Sequence, residues 1–223
     1  MSAKLFDTIE VRAGLEAENE KYAAEVRKFC RQRNVFLINL MGSPGAGKTS
    51  VVCRLLEQLR AEYKIGVMEA DVDADVDAHT VCAHGASAVQ LHTGGSCHMD
   101  GRMTLQGLRA FGEAVPEIVI LENVGNLVCP AEFDVGADLK MMILSVPEGD
   151  DKPLKYPLMF TVSDCILFNK MDASEIFDFS AARCRAHIRA LNPAAPIFPV
   201  SGKTGEGFSS LAAWLKERVH ENH

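Results

Sequence analysis

Three features of the 223-residue sequence predict an α/β fold. Seven short apolar runs recur along the chain. Segments of helical periodicity alternate with them. A glycine-rich turn separates the first run from the helix after it. The expected architecture is a mostly parallel central sheet of about seven strands with helices on both faces. Residues 34–223 form that domain, and residues 1–33 a helical extension ahead of it.

The elements follow in order. A helix is expected over 15–33, where Leu15, Tyr22, Val26 and Phe29 fall on one apolar stripe. Packing on the sheet is the simpler use of that stripe, and a partner surface the other. The strands are read at 35–41 (VFLINLM), 64–70 (KIGVMEA), 88–92 (AVQLH), 117–123 (EIVILEN), 139–146 (LKMMILSV), 165–170 (CILFNK) and 197–201 (IFPVS). Most are continuously apolar, as strands buried on both faces must be. Further helices are expected at 48–62, 75–85, 102–113, 173–191 and 207–219.

Composition narrows the function. A hydrophobic content of 48% with 24% charged residues is that of a globular protein large enough to bury a core without disulfides. The net charge of -7 argues against nucleic-acid binding and against a basic membrane surface. No apolar run reaches the ~20 residues that span a bilayer. The N-terminus lacks an apolar signal core, so the expected location is cytoplasmic. Seven scattered cysteines follow no disulfide framework and suit core filling, metal or redox chemistry.

The segment Gly42 to Ser50, GSPGAGKTS, fits the P-loop pattern between a strand and a helix. Gly42, Ser43, Gly45, Ala46 and Gly47 would wrap backbone N–H groups around phosphates, with Ser50 in the first helical turn. Lys48 would reach the β and γ phosphates, and Thr49 would offer its hydroxyl to Mg²⁺. The fold is therefore that of a P-loop NTPase. The base is read from FNKMD, which ends a buried strand. Asp172 can accept from guanine N1–H and its exocyclic amine, which adenine cannot match. Lys170 can lie along the base, and Asn169 can brace neighbouring loops. Ser201, Gly202 and Lys203, in SGKTGEG after the last strand, can bring N–H groups to guanine O6. The nucleotide is thus GTP or GDP.

The hydrolytic carboxylates are less tightly defined. Asp71 ends the second strand, where it can reach Mg²⁺ through water or orient the attacking water; Asp77 is the alternative. Asp73 and Asp75 read as a solvated acidic turn. Glu122 ends its strand where an acid contacts the Mg²⁺ shell, and Gly125 can offer an N–H to the γ-phosphate. Many small GTPases have aspartate at the Glu122 position.

A second constellation lies in GGSCHMDG, which places Cys97, His98 and Asp100 between glycines. Cys129 stands seven residues past Glu122. Cys97, His98 and Cys129 make a sulfur and nitrogen set suited to Ni²⁺ or Zn²⁺ and poorly suited to Mg²⁺. Three ligands do not close a site, but two symmetric copies would share six. Asp100 is read equally as an orienting acceptor for His98 or as a helix N-cap. His92 reads as structural.

These residues resemble the HypB family of GTPases. The resemblance runs through NLMGSPGAGKTS, HTGGSCHMD, LENVGNLVCPAEFDVG, SVPEGDDKPLKYPLMF, FNKMD and SGKTGEG, from about residue 38 onward. It implies a SIMIBI-class GTPase of nickel–iron hydrogenase maturation. It further implies a GTP-dependent homodimer with Ni²⁺ or Zn²⁺ held at the interface by Cys97, His98 and Cys129. A HypA-type nickel chaperone and the hydrogenase large-subunit precursor are the implied partners. Lys152, Lys155 and Tyr156 match the family's coupling segment. Residues 1–34 hold no histidine and only Cys30, so neither the N-terminal cysteine motif nor the histidine-rich stretch of some members is seen there. The rival readings are a urease-accessory GTPase, whose C-P-H motif is here Cys129-Pro130-Ala131, a regulatory GTPase without a metal, and a P-loop kinase.

Overall fold

The computed structural model describes residues 11–71 and 86–222, with side chains for 16–70 and 86–222. The seven predicted strands all form. They are β1 (Phe36–Gly42), β2 (Ile65–Asp71), β3 (Ser87–His92), β4 (Ile118–Glu122), β5 (Leu139–Ser145), β6 (Cys165–Asn169) and β7 (Ile197–Pro199). They pair in the order β3-β2-β4-β1-β5-β6-β7, and every described pairing between them is parallel. The helices are α1 (Val11–Arg33), α2 (Lys48–Leu59), α3 (Gly101–Ala110), α4 (Cys129–Glu132), α5 (Lys152–Lys155), α6 (Pro157–Val162), α7 (Ala181–Leu191) and α8 (Phe208–Asn222).

Alternation along the strands builds two faces. Phe36, Ile38 and Leu40 of β1 join Val52, Leu55 and Leu56 of α2 and Leu211 and Leu215 of α8 on one face. Leu37 joins the opposite face, where Val26 and Cys30 of α1 and Leu105 and Leu108 of α3 pack. Met41 joins that face further along, with Phe160 of α6 and Ile188 of α7. Every residue of β1, β4 and β6 is buried, which explains their largely apolar character.

Helix α1 is integral to this core. Ala23 and Val26 are fully buried, and Tyr22 and Phe29 of the predicted stripe pack beside them; the side chain of Leu15 lies outside the described residues. Two glycines make the close approach possible. A Cβ on Gly101 would stand 2.6 Å from the Ala23 nitrogen, and one on Gly136 would stand 2.5 Å from the Ala23 carbonyl oxygen. Asn19 completes the contact, accepting from the Gly101 N–H at 2.8 Å and donating to the Asp134 carbonyl at 2.8 Å.

Two departures from the expected elements have local causes. The helix expected from 173 begins at Ala181, because Ser180 caps it by accepting from the Arg183 N–H. The preceding residues turn through a short 3-10 segment at Met171–Ala173, and Phe179 sits edge-on to Phe168. The sequence pattern does not predict the short helices α4, α5 and α6; each carries a proline in its first turn and is too short to show helical periodicity. The helix expected at 75–85 lies outside the described residues.

The segment from β5 to α6 is held by a buried carboxylate. Asp150 accepts from the Ser180 N–H at 2.8 Å and from two Arg183 nitrogens at 2.9 and 2.7 Å. The Arg183 guanidinium thereby holds the Asp150 carboxyl below the usual carboxylate range.

Two outcomes follow. Gly136→Ala, at φ +77 and against the α1 backbone, is expected to lower Tm by roughly 5 °C or more. Gly112→Ala, at φ +69 with open space around it, should cost only the backbone strain, and equal losses in thermal melts would disprove the packing account. For Asp150→Asn, chemical denaturation against pH should show a deficit at pH 7. A depressed carboxyl stabilises above its unfolded pKa of about 3.9, and loses that contribution as pH falls through its folded value. The variant and the parent should therefore converge in acid; a constant deficit would show that the charge is irrelevant.

Candidate nucleotide and metal sites

β1 runs buried to Gly42, and the chain then turns over the sheet before α2 starts at Lys48. Gly45 and Gly47 have φ of +74 and +92, which only glycine adopts without strain. The Ala46 N–H donates to the Ser43 carbonyl at 3.2 Å, and Lys48 reaches back to the same oxygen at 3.4 Å. The loop is thus a small anion cradle at a helix N-terminus, the geometry expected of a phosphate site. Gly42 has a separate reason to be glycine: a Cβ there would lie 2.9 Å from the Ile143 carbonyl oxygen.

The Thr49 hydroxyl donates to a Glu122 carboxylate oxygen at 3.0 Å. This contact follows from register, since β1 pairs with β4 and sets Leu40 opposite Glu122. Two hard oxygen donors face each other there, a set that suits Mg²⁺. Gly125 presses on the cradle, and a Cβ on it would stand 2.9 Å from Pro44. The backbone of Asp71 closes β2 opposite His92. Its side chain, and all of Asp73, Asp75 and Asp77, lie outside the described residues.

The loops after β6 and β7 meet the cradle from the other side. Asn169 is buried and braces both neighbours: its amide nitrogen donates to the Ala46 carbonyl at 2.9 Å, and its oxygen accepts from the Gly202 N–H at 3.0 Å. Lys170, itself at φ +63, donates to the Gly45 carbonyl at 2.7 Å. Asp172 is exposed, and its carboxylate accepts from the Ser201 hydroxyl at 2.6 Å. That hydroxyl also accepts from the Thr204 N–H, so Ser201 fixes both the carboxylate and the turn. Lys203 is exposed on the same turn. Arg54 escaped the sequence reading. It donates from α2 to the Gly202 and Lys203 carbonyls at 3.0 and 2.8 Å, and its helical position carries no signal of that reach.

Cys97, His98 and Cys129 converge, with one ligand atom from each within 4.8 Å of the others. The Cys97 thiol donates to the Cys129 sulfur at 3.0 Å, and the His98 Nδ1 lies 3.7 Å from the Cys97 sulfur. The His98 ring stacks on Phe133 at 4.0 Å. Burial pushes the imidazole below its ordinary range, against the opposing charges of Asp100 and Glu132, and so favours the neutral ring a metal requires. The hydrogen bond with Cys97 and then burial push the Cys129 thiol up, so metal binding there must release a proton.

The other described cysteines differ in kind. Cys30, Cys53, Cys165 and Cys184 are buried, and burial pushes the Cys30 and Cys184 thiols up to about 12. They are core residues. Asp100 is settled as the N-cap of α3, accepting from the Met103 N–H at 2.7 Å. His92 is exposed at the end of the edge strand β3 and stands outside the cluster. No described helix is long and apolar enough to cross a membrane.

Residues 36–199 match the CobW/HypB/UreG nucleotide-binding domain. The hydrogenase maturation factor HypB of Azotobacter vinelandii is 40% identical over 210 residues, covering 94% of this chain and 69% of that protein. The hydrogenase/urease maturation factor HypB of Helicobacter hepaticus is 36% identical over 222 residues, covering 97% and 90%. The crystal structure of HypB from Helicobacter pylori in complex with nickel superposes with a TM-score of 0.88 at 35% identity, covering 92% of this chain and 96% of that one. A P-loop cradle on an all-parallel sheet, a cysteine and histidine cluster beside it, and relatives of this extent place the chain in the HypB family of hydrogenase maturation factors.

Proposed function

We propose that this chain is a GTP-hydrolysing nickel metallochaperone that assists nickel insertion into nickel–iron hydrogenase. One observation carries the reading: the loop that packs on the P-loop is the loop that delivers Cys129 to Cys97 and His98. The solved Helicobacter pylori relative in complex with nickel supports the choice of cargo.

In this reading Asp172, held by Ser201, accepts from the guanine edge, and Lys170 lies along the base. The backbone of residues 43–49 and Lys48 bind the phosphates. Thr49 and Glu122 would hold Mg²⁺, with Asp71 as a further candidate acting through water; when bound, the ion would supply positive charge to the phosphates. Asp71 or Asp77 orients the attacking water. The Gly125 N–H meets the γ-phosphate, so the turn behind it is drawn in with GTP and relaxes after hydrolysis.

Nickel is the cargo of the second site. Two thiolates and one imidazole from a single protomer suit Ni²⁺ or Zn²⁺ and leave positions open. A GTP-dependent homodimer about this loop fills them from a second copy. Hydrolysis loosens the dimer and frees the ion toward the hydrogenase large-subunit precursor, with a HypA-type chaperone as the exchanging partner.

Metal titration with mass determination is the direct test. Nickel affinity should differ about tenfold or more between protein loaded with a non-hydrolysable GTP analogue and with GDP, and Cys129→Ala should lose the site in both. Equal affinities in the two nucleotide states would refute the coupling. For the base, Asp172→Asn should shift preference from GTP to XTP by about a hundredfold or more in competition binding. An unchanged preference would remove Asp172 from the guanine site.

A further inference from the structure

Between the turn that faces the P-loop and the paired cysteines stands one residue that touches both. The Asn126 N–H donates to the Gly42 carbonyl at 3.1 Å, closing an isolated antiparallel bridge with the first residue of the P-loop. Its side-chain nitrogen donates to the Cys97 carbonyl at 3.3 Å. Its side-chain oxygen accepts from the N–H of Val128, the residue before Cys129, at 2.8 Å. The backbone of Asn126 therefore belongs to the nucleotide side and its side chain to both halves of the metal site.

The other end of the Cys97 loop is tied differently. The Met99 N–H donates to the Asn123 side-chain oxygen at 3.1 Å, and Asn123 donates to Asn39 of β1 at 3.0 Å. Asn39 of β1, Asn123 just past β4 and Met99 are all buried. That end is an anchor within a close-packed core, which does not deform continuously. The Cys97 end is held at the half-buried Asn126, one residue after the glycine pressed on Pro44. A displacement of the turn moves the Asn126 backbone. Its side-chain bonds to Cys97 and to Val128, at the start of α4, would pass such a movement to both, while the Met99 end is tied to the buried Asn123.

We infer that Asn126 is the positioning residue through which the nucleotide's state sets the geometry of the Cys97–Cys129 pair. The inference rests on the nucleotide-coupled metal site proposed above. It separates Asn126 from a residue that merely shapes the loop. A shaping residue affects nickel affinity equally in both nucleotide states, whereas a transmitting residue changes the ratio between them.

The experiment is nickel titration of the parent protein, Asn126→Ala and Asn126→Asp, each loaded with GDP or with a non-hydrolysable GTP analogue. The alanine variant loses the bonds to Cys97 and Val128 and the side-chain contact with the Cys129 thiol, and keeps the backbone bridge to Gly42. The aspartate variant keeps the acceptor for Val128 and loses the donor to Cys97. Its added charge is expected to strengthen nickel binding alike in both states, so the ratio still reports coupling. In both variants the ratio should fall from about tenfold toward one, to within about twofold. The nickel-induced change in analogue affinity should fall by the same factor, as linkage requires. Uniformly weakened binding with the parent ratio retained would overturn the inference and leave Asn126 a structural residue. A parent ratio of one would overturn the coupling itself, and this inference with it.

Discussion

The pairing of β1 with β4 is the constraint on which both candidate sites depend. Its parallel register sets Leu40 opposite Glu122 at the carboxyl ends of two buried strands. From there one chain turns into the P-loop and the other into the turn that packs against it. A slip of β4 by one residue would turn its faces over, exchanging Glu122 with apolar Leu121 or buried Asn123. The Thr49–Glu122 contact and the Gly42–Asn126 bridge exist only in the observed register.

A buried polar pair reinforces that register. Asn39 and Asn123 are almost inaccessible, and an unsatisfied buried amide costs roughly 1–3 kcal/mol. Here Asn123 donates to Asn39 and accepts from the N–H groups of Met99 and Val124. The same bonds that satisfy the pair fix the root of the Cys97 loop and of the 124–128 turn. Polar groups in the sheet thus order the two loops whose chemistry differs most from the core.

The cysteine and histidine cluster has a second frame outside the sheet. Ala23 of α1 lies between Gly101 and Gly136, and Asn19 bonds to the chain after His98 and to the chain after α4. Arg27 adds an ion pair to Asp134 at 2.7 Å. The helix ahead of the first strand therefore braces both loops that carry the cluster. Its stripe in the sequence reported only that one face is apolar; where that face docks was decided by two glycines far along the chain.

Periodicity and spacing determined the seven strands, the P-loop and the order of the two later motifs proposed to read the base, because each is a local pattern of side chains along one stretch of backbone. They also supplied the residue types of the cysteine and histidine cluster, and suggested its membership through the position of Cys129 after Glu122. Tertiary structure decided the rest. It brought Cys97 to Cys129 across 32 positions and Asn19 to Asp134 across 115. It assigned Asp100 to a helix cap and gave Arg54, Asn123 and Asn126 partners on other loops. A polar side chain on an ordinary helix or turn carries no mark of such a partner, since the contact is made through space by elements that only the folded sheet sets side by side.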